Sequence, residues 1–215
     1  MNGLLEQLSS GFLPRFLLGM AVNFEIALLA LAIGLALGLL LALGRWHGRV
    51  AGGIAASAVA LMRAAPTFVV MFFLLNAIPR DASLFGMPLA LSGVATVALS
   101  LVPYSAAYVS DAGLDALRHW HAGSPLGALL FLPNITRAFF VLVMSSSAGA
   151  AIGVTEAITV ILREAERLPS LDDRLVLFAL GIVMFGIPLQ LGFVLIGMVQ
   201  RLLGRRAAVT DEASA

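Results

Sequence analysis

Long runs of apolar residues, separated by short polar segments, dominate the sequence. The run from Ile26 to Leu43 contains no charged residue, and extending it back to Leu17 adds only Asn23 and Glu25 as strongly polar members. Because a helix needs about 20 apolar residues to cross the hydrocarbon layer, this run predicts a first membrane span. Four more apolar runs predict spans at about residues 64–78, 84–110, 126–155 and 175–200. The pattern therefore predicts an all-α integral membrane protein with about five transmembrane helices.

The polar segments between and beside these runs predict the domain organisation. We expect an interfacial segment at 1–16, a transmembrane domain at 17–206 and a flexible tail at 207–215. The second span is expected to extend backwards through residues 54–62, and Leu132-Pro133 predicts a break in the fourth. Residues 111–125 are polar and predict a loop. Apolar and charged residues alternate within 156–173 like the two faces of a surface helix.

Five spans place the two ends of the chain on opposite sides of a membrane. With the N-terminus outside, eight Arg residues fall on the inner side and five on the outer side. The positive-inside rule then favours an outside N-terminus and a cytoplasmic C-terminus. We expect a multi-pass protein of the bacterial cytoplasmic (inner) membrane.

Composition excludes several classes of protein. The chain is 60% apolar and only 12% charged, whereas a soluble domain carries about 25% charged residues. The basic residues are all Arg and form no cluster suited to a nucleic acid. There is no Cys, and no phosphate-binding loop or zinc-protease motif is present, so we expect neither a cofactor nor an enzyme active site. His119 and His121 are poor metal ligands, because residues two apart point to different sides of a helix.

Four short motifs, in this order, resemble the permease subunits of ABC importers for polar amino acids. Arg63-Ala64-Ala65-Pro66 is similar to the Arg-Gly-Thr-Pro that opens the second span of that family. The run from Ala107-Tyr108 to Asp111 is similar to the family's Ala-Tyr followed by an acid. Leu132-Pro133 and Ile152-Gly153-Val154 then match two later motifs. The resemblance covers roughly residues 15–206, and it implies the type I importer permease fold.

The resemblance implies a set of partners and a coupling loop. A separate cytoplasmic ABC ATPase would supply energy, an extracytoplasmic solute-binding protein would deliver an amino acid or similar small polar solute, and a second permease subunit would complete a homo- or heterodimer. The ATPase would act on the loop at 111–130. The residues expected to carry this coupling are Asp115, Ala116, Arg118, Trp120, Leu132 and Pro133.

Two departures from the family pattern keep another function open. Leu114-Asp115-Ala116 stands where the family has Glu-Ala-Ala, and Trp120 stands at the expected Gly. Residues 144–148 (MSSSA) replace the Lys-Asp-Thr-Ser-Leu that the family commonly has before Ile-Gly-Val. A transport-deficient membrane scaffold, or the weaker partner of a heterodimer, is the alternative. An integral-membrane enzyme is a third possibility.

Arg63 and Pro66 lie on nearly the same helix face and form a candidate cytoplasmic gate, since Pro leaves backbone carbonyls free. An interfacial Arg beside a tolerated Pro is an equally good interpretation. Polar residues within the spans are candidates for the solute pathway, because polar groups at membrane depth are costly. They are Glu25, Asn76, Tyr108, Ser145, Ser147 and Gln190.

Four of these pathway candidates also have a structural interpretation. The Glu25 carboxylate could reach the outer interface, Ser145 and Ser147 could bond to helix carbonyls, and Gln190 could serve helix packing. As a pathway residue, Glu25 would be the acceptor for the ammonium group of an amino acid. Such a weakly charged pathway favours a small neutral amino acid.

Overall fold

The computed structural model describes residues 11–77, 83–84, 87–88 and 91–213, and the described residues are almost entirely helical. The helices are α1 (Leu13–His47), α2 (Arg49–Ala64), α3 (Thr67–Ala77), α4 (Gly93–His121), α5 (Pro125–Leu129), α6 (Phe131–Ser145), α7 (Ala157–Glu166) and α8 (Leu171–Ala213). A 3-10 helix at Ser146–Ile152 continues α6. Two short strands, β1 (Ser83–Leu84) and β2 (Met87–Pro88), pair antiparallel between α3 and α4.

Four helical stretches among the described residues are long and apolar enough to cross a membrane. They are α1, α4, the stretch Gly127–Ile152 and the part of α8 at Leu171–Leu202. Helices α2 and α3 together meet the same test but are bent by 92°. Counting the bent pair as one span gives five, and the expected all-α, multi-pass membrane architecture is confirmed.

Helices α1 and α4 form the centre of the bundle and run in the same direction. Gly34 faces Ser105, Gly38 faces Ala106 and Val109, and Ala42 faces Gly113. A Cβ atom on Gly38 would lie 2.6 Å from the carbonyl oxygen of Ala106, so only glycine permits this spacing. Small residues allow close helix contact in membranes, where apolar side chains gain little by leaving lipid.

Since α1 and α4 are parallel, the chain between them must return across the bundle. Helix α6 runs opposite to α1, because Phe131 lies near Gly113 while Ser146 bonds to Asn23. Helix α8 runs with α1, since Gly181 packs on Ile161 of α7 and Gln200 bonds to Asn134 near the start of α6. The first and last described residues therefore lie at opposite ends of the bundle.

Two polar clusters mark the ends of the bundle, and we name the ends after their acids. The Glu156 end holds Asn23 of α1, and the Asp111 end holds Arg45 of the same helix. At 1.5 Å per residue, Asn23 and Arg45 are about 33 Å apart along α1. The hydrocarbon layer is about 30 Å thick, so the two clusters are spaced like its two boundaries.

Apolar packing connects these ends in two groups. The larger core lies between α1, α3, α4 and α6 and includes Ile26, Met71, Leu101 and Leu142. A second group closes the Glu156 end, where Phe12, directly before α1, and Phe16 of α1 pack against α7 and the start of α8. This group gives amphipathic α7 its buried face.

The second predicted span is two helices, not one. Ala65 between them has extended backbone angles (φ −78°, ψ 109°), as expected for a residue before proline. Helix α2 begins beside the last turn of α1, and its own last turn carries Arg63, which contacts the same Asp111 that Arg45 binds. Helix α2 therefore begins and ends at the Asp111 end, and α3 makes the turn into the bundle.

The third span and the loop after it differ from the prediction. Helix α4 begins at Gly93 rather than 84, because the Ser92 hydroxyl accepts a hydrogen bond from the Ala95 N–H (3.1 Å) and caps it. The helix continues to His121, so the first eleven residues of the predicted 111–130 loop are helical. Two residues beyond its end, Gly123 has a φ of +78°, the left-handed conformation typical of a residue that follows a helix C-terminus.

The fourth span is interrupted at a different residue than predicted, and the helix of the fifth span is longer than predicted. The break in the fourth lies at Leu130, and Pro133 falls in the first turn of α6, where its missing N–H costs no helical hydrogen bond. Helix α8 starts at Leu171 and its backbone remains helical to Ala213, through residues for which the sequence predicted a flexible tail.

Candidate functional site

A buried carboxylate organises the Glu156 end. The Glu156 side chain is fully buried and caps α7, because its Oε1 accepts hydrogen bonds from the Thr159 N–H (2.7 Å) and hydroxyl (3.0 Å). Its Oε2 accepts from the Ile158 N–H (2.9 Å) and from the Asn23 amide (3.1 Å). All of these donors are neutral. The carboxylate thus fixes α7 to α1.

Asn23 extends this arrangement to the end of α6. Its amide nitrogen also donates to the Ser146 hydroxyl (2.8 Å), and its amide oxygen accepts from the Ala157 N–H (3.1 Å). A second link is electrostatic, since Arg15 of α1 lies 3.1 Å from the buried Glu164 of α7. With its hydrogen-bonding groups used in this way, Asn23 serves structure at this end.

The Asp111 end is held by charge. The Asp111 carboxylate of α4 lies between two guanidinium groups: Oδ1 is 2.8 Å from Arg45 of α1, and Oδ2 contacts Arg63 of α2. The Arg45 and Asp111 side chains are 21% and 34% exposed, whereas Arg63 is 57% exposed. The bond to Arg63 is therefore the more accessible of the two ion pairs.

A cavity of about 340 Å³ lies beside this cluster, between the bent pair α2–α3 and α4. Its walls are formed by Met62, Arg63, Ala65, Thr67, Tyr104, Ala107, Tyr108 and Asp111. The Tyr104 and Tyr108 rings lie side by side with centroids 6.3 Å apart. Gly34 lies halfway between Asn23 and Arg45 on α1, and Ser105 packs against it. Tyr104, the neighbour of Ser105, therefore lies near mid-depth of the bundle.

The candidate gate residues fall at this cavity. Arg63 forms part of its wall, and Pro66 lies at the bend between α2 and α3, next to Ala65 of the same wall. The sequence singled out this pair, but it did not show that Asp111 holds Arg63 to α4.

The six candidate pathway residues do not share one site. Tyr108 lines the cavity, while Ser145 and Ser147 are half-buried at the far end of α6, beside Ser146. Glu25 and Gln190 are exposed on the outer surface of the chain, and the Asn76 amide donates to the Phe72 carbonyl (2.6 Å) of its own helix. Of the six, only Tyr108 lies with the gate residues.

The candidate coupling residues gather at the Asp111 end. Asp115 and Arg118 are exposed and pair with each other at 3.2 Å, one turn apart on α4. Trp120 is 66% exposed and lines an apolar groove of about 370 Å³ with Ala116. The rest of the groove comes from α1, α4, α5 and α6, at Leu39, Ala42, Leu43, Gly113, Leu117, Ala128 and Phe131.

Leu132 and Pro133 lie on the other side of α6. They line a second apolar groove of about 320 Å³, which is shared with Leu195, Ile196 and Val199 of α8. Four of the six coupling candidates therefore line two neighbouring grooves, while Asp115 and Arg118 form an exposed pair at the same end of the bundle.

Sequence reasoning missed two residues that organise these sites. Glu156 was assigned no role, although an acid directly before the helical pattern AITVILRE is a recognisable helix cap. Asp111 was read only as part of a motif. Its pairing with Arg45 and Arg63 joins residues far apart in the sequence, and no local pattern predicts it.

Comparison with known proteins was made by sequence and by fold. No family model and no curated protein matches the sequence. The fold matches a chain in a structure described as the crystal structure of an amino acid ABC transporter with histidines. The TM-score is 0.65 at 18% identity, over 88% of this chain and 94% of the other. The chain has this transporter fold. Because the match includes nearly all of both chains, the transporter fold describes the whole bundle and not one helical hairpin.

Proposed function

We propose that this chain is the transmembrane subunit of an ABC importer for an amino acid or a similar small polar solute, driven by a separate cytoplasmic ATPase. The observation that carries the proposal is the fold, which agrees with that of an amino acid ABC transporter chain over 94% of the latter. Motifs resembling those of the permease family lie along the same length of chain. ATP hydrolysis belongs to the partner, because this chain carries no phosphate-binding loop.

The proposal includes an orientation in the bacterial inner membrane. The Asp111 end would face the cytoplasm, since Arg45, Arg49, Arg118 and Arg201 lie there, and cytoplasmic segments are enriched in such residues. The Glu156 end, closed by α7, would face outward and receive a solute-binding protein. A second permease subunit would pack against the exposed apolar helices within the membrane.

The ATPase would dock on the last turns of α4 and on α5. This surface combines the exposed Asp115–Arg118 pair with Trp120 at the rim of an apolar groove. Exposed aromatic anchors beside apolar grooves are typical of protein-binding hot spots. Because α4 is continuous from this surface to Asp111 and Tyr108, a push here would reach the cavity through one rigid helix.

Reversing both charges, Asp115→Arg with Arg118→Asp, and replacing residues 114–121 by Gly/Ser test this surface. Co-purification with candidate ATPase and binding-protein subunits, followed by solute-stimulated ATPase assay in lipid, gives the readout. We expect the Gly/Ser variant to insert normally but to lose most ATPase binding, and the double reversal to lower coupling. Arg201→Glu is the matched control, because Arg201 is exposed at the same end but lines neither groove. Unchanged ATPase binding by the Gly/Ser variant would remove this surface from the proposal.

The alternative is a membrane scaffold, or the transport-deficient partner of a heterodimer. Trp120 at the family's Gly position, and Met144 and Ser145 in place of the family's charged Lys and Asp, favour it. The same assay separates the two functions. A scaffold would bind the ATPase but show no solute-stimulated hydrolysis with any binding protein, whereas an importer shows both.

A further inference from the structure

The charged cluster beside the cavity, Asp111 with Arg45 and Arg63, carries more positive than negative charge, although Arg45 itself lies outside the cavity wall. One Asp111 carboxylate oxygen pairs with the guanidinium of Arg45 and the other with that of Arg63, so one negative charge is shared by two positive charges. A guanidinium has five N–H donors in a planar fork. The half-exposed Arg63 therefore has donors left for a second anionic group.

Two tyrosine hydroxyl groups belong to the wall of the same cavity. Neither the Tyr104 nor the Tyr108 hydroxyl forms a hydrogen bond with any residue that the structure describes. An unpaired hydroxyl is costly in a water-poor, apolar layer, and these two lie from mid-depth towards the Asp111 end. A polar occupant would satisfy both hydroxyls.

We propose that this cavity is a binding site for a small zwitterionic solute, whose carboxylate pairs with Arg63 and whose ammonium group lies against Tyr104 and Tyr108. The proposal rests on the transport function proposed above and names the place where the solute would bind. Arg recognises carboxylates by charge-assisted hydrogen bonds, and an ammonium group is attracted to the faces of tyrosine rings. The cavity volume of about 340 Å³ lies within the range of small-molecule sites.

This assignment places the two ends of the solute differently from the sequence-based expectation. Glu25 was the expected acceptor for the ammonium group, but it lies on the outer surface of α1 near the Glu156 end. For the ammonium group, the cavity offers a wall of aromatic rings and hydroxyl groups in place of Glu25. For the carboxylate of the solute, it offers a cationic partner, Arg63, which the expected pathway lacked.

The absence of Cys from the chain makes a direct test simple. Thr67→Cys places one thiol in the cavity wall, and the purified protein in detergent reacts with a small water-soluble maleimide. Labelling is timed with L-alanine, L-serine or L-glutamine present, and with the α-carboxamide of each. We expect at least one amino acid to slow labelling severalfold and its carboxamide, which lacks the carboxylate, to have little effect.

Point variants then identify the groups that bind. Arg63→Gln should weaken protection roughly tenfold, which is about 1.4 kcal/mol. Arg63→Lys should restore part of it, and Tyr104→Phe and Tyr108→Phe should each weaken it without changing the cavity shape. Arg49→Gln is the matched control, because it removes the same charge at the same end but lies outside the cavity wall. Circular dichroism and gel filtration show whether each variant is folded.

Several outcomes would overturn the site. Equal protection by an amino acid and its carboxamide would mean that no carboxylate is recognised. Protection by anionic lipid vesicles but by no amino acid would assign Arg63 to lipid headgroups. A thiol at position 67 that never reacts, or reacts equally under all conditions, would mean a closed or unoccupied cavity. The assay needs no ATPase, so a failure of the coupling proposal and a failure of this site give different results.

Discussion

The polar clusters around Glu156 and around Asp111 each hold three helical elements together, at opposite ends of the bundle, but by different physical means. The Glu156 carboxylate is fully buried and receives four hydrogen bonds, all from neutral donors. The Asp111 side chain is one-third exposed and lies between two guanidinium groups. One end is therefore a dry network of short-range bonds, and the other is an accessible cluster of charges beside a cavity.

The difference determines how easily each end can rearrange. Opening the Glu156 network would leave buried donors and a buried carboxylate unpaired, and each such group costs about 1–3 kcal/mol or more. An exposed ion pair contributes only about 0–1 kcal/mol, because water and salt stabilise the separated charges nearly as well. We therefore expect the Glu156 end to stay fixed, and motion to concentrate at the Asp111 end, where α2 meets α3.

Removing the buried carboxylate should have the largest effect on stability. Glu156→Ala deletes the α7 cap and leaves the Ile158 and Thr159 N–H groups and the Asn23 amide without their acceptor. We expect a loss of about 3 kcal/mol in the free energy of unfolding, measured by denaturant titration in detergent. The matched control is Glu166→Ala, since Glu166 is an exposed acid at the end of the same helix. Equal effects of both changes would refute the distinction between the two ends.

Neutralising Asp111 should lower the free energy of unfolding by a smaller amount, but it should make the bend between α2 and α3 more mobile. Asp111→Asn weakens both ion pairs at once, and we expect a loss of about 1 kcal/mol because these charges are accessible to water. A single thiol introduced by Ala65→Cys, at the bend between α2 and α3, should then react faster with maleimide. Asp115→Asn is the control, since its ion pair to Arg118 lies within one helix and does not join α2 to α4. Unaltered labelling of the thiol at position 65 would show that Asp111 does not restrain the bend.

The sequence predicted those features of the fold that depend on neighbouring residues. Apolar runs located the spans, and Arg63 and Pro66 marked the region of the bend, because proline acts on its own helix and on the residue before it. The helical continuation of α4 past Ser110 was missed. The pattern there is polar, and polarity was taken to mean a loop rather than a helix leaving the membrane.

The two polar clusters could not be predicted in the same way. Asn23 and Glu156 are 133 residues apart, and Arg45 and Asp111 are 66 apart, so each pair is brought together only by the packing of α1 against other helices. The parallel α1–α4 arrangement depends on Gly34 and Gly38, whose GxxxG spacing indicates close packing but not the partner helix. Sequence thus located the residues, and tertiary structure decided which of them meet.

The smallest effect on the isolated chain is expected at Glu25, two residues from Asn23 on α1. Asn23 is buried in the Glu156 network, whereas Glu25 is exposed on the opposite side of the helix. Glu25→Gln removes a charge that contacts nothing specific in the described chain, so the free energy of unfolding should change by less than about 0.5 kcal/mol. Transport in proteoliposomes with the partner subunits provides the second readout. If transport of a zwitterion falls while stability is unchanged, Glu25 acts in the assembled complex, where a second subunit covers that face of α1. If transport is also unchanged, Glu25 lies outside the pathway, and its carboxylate is a solvated charge at the outer membrane interface.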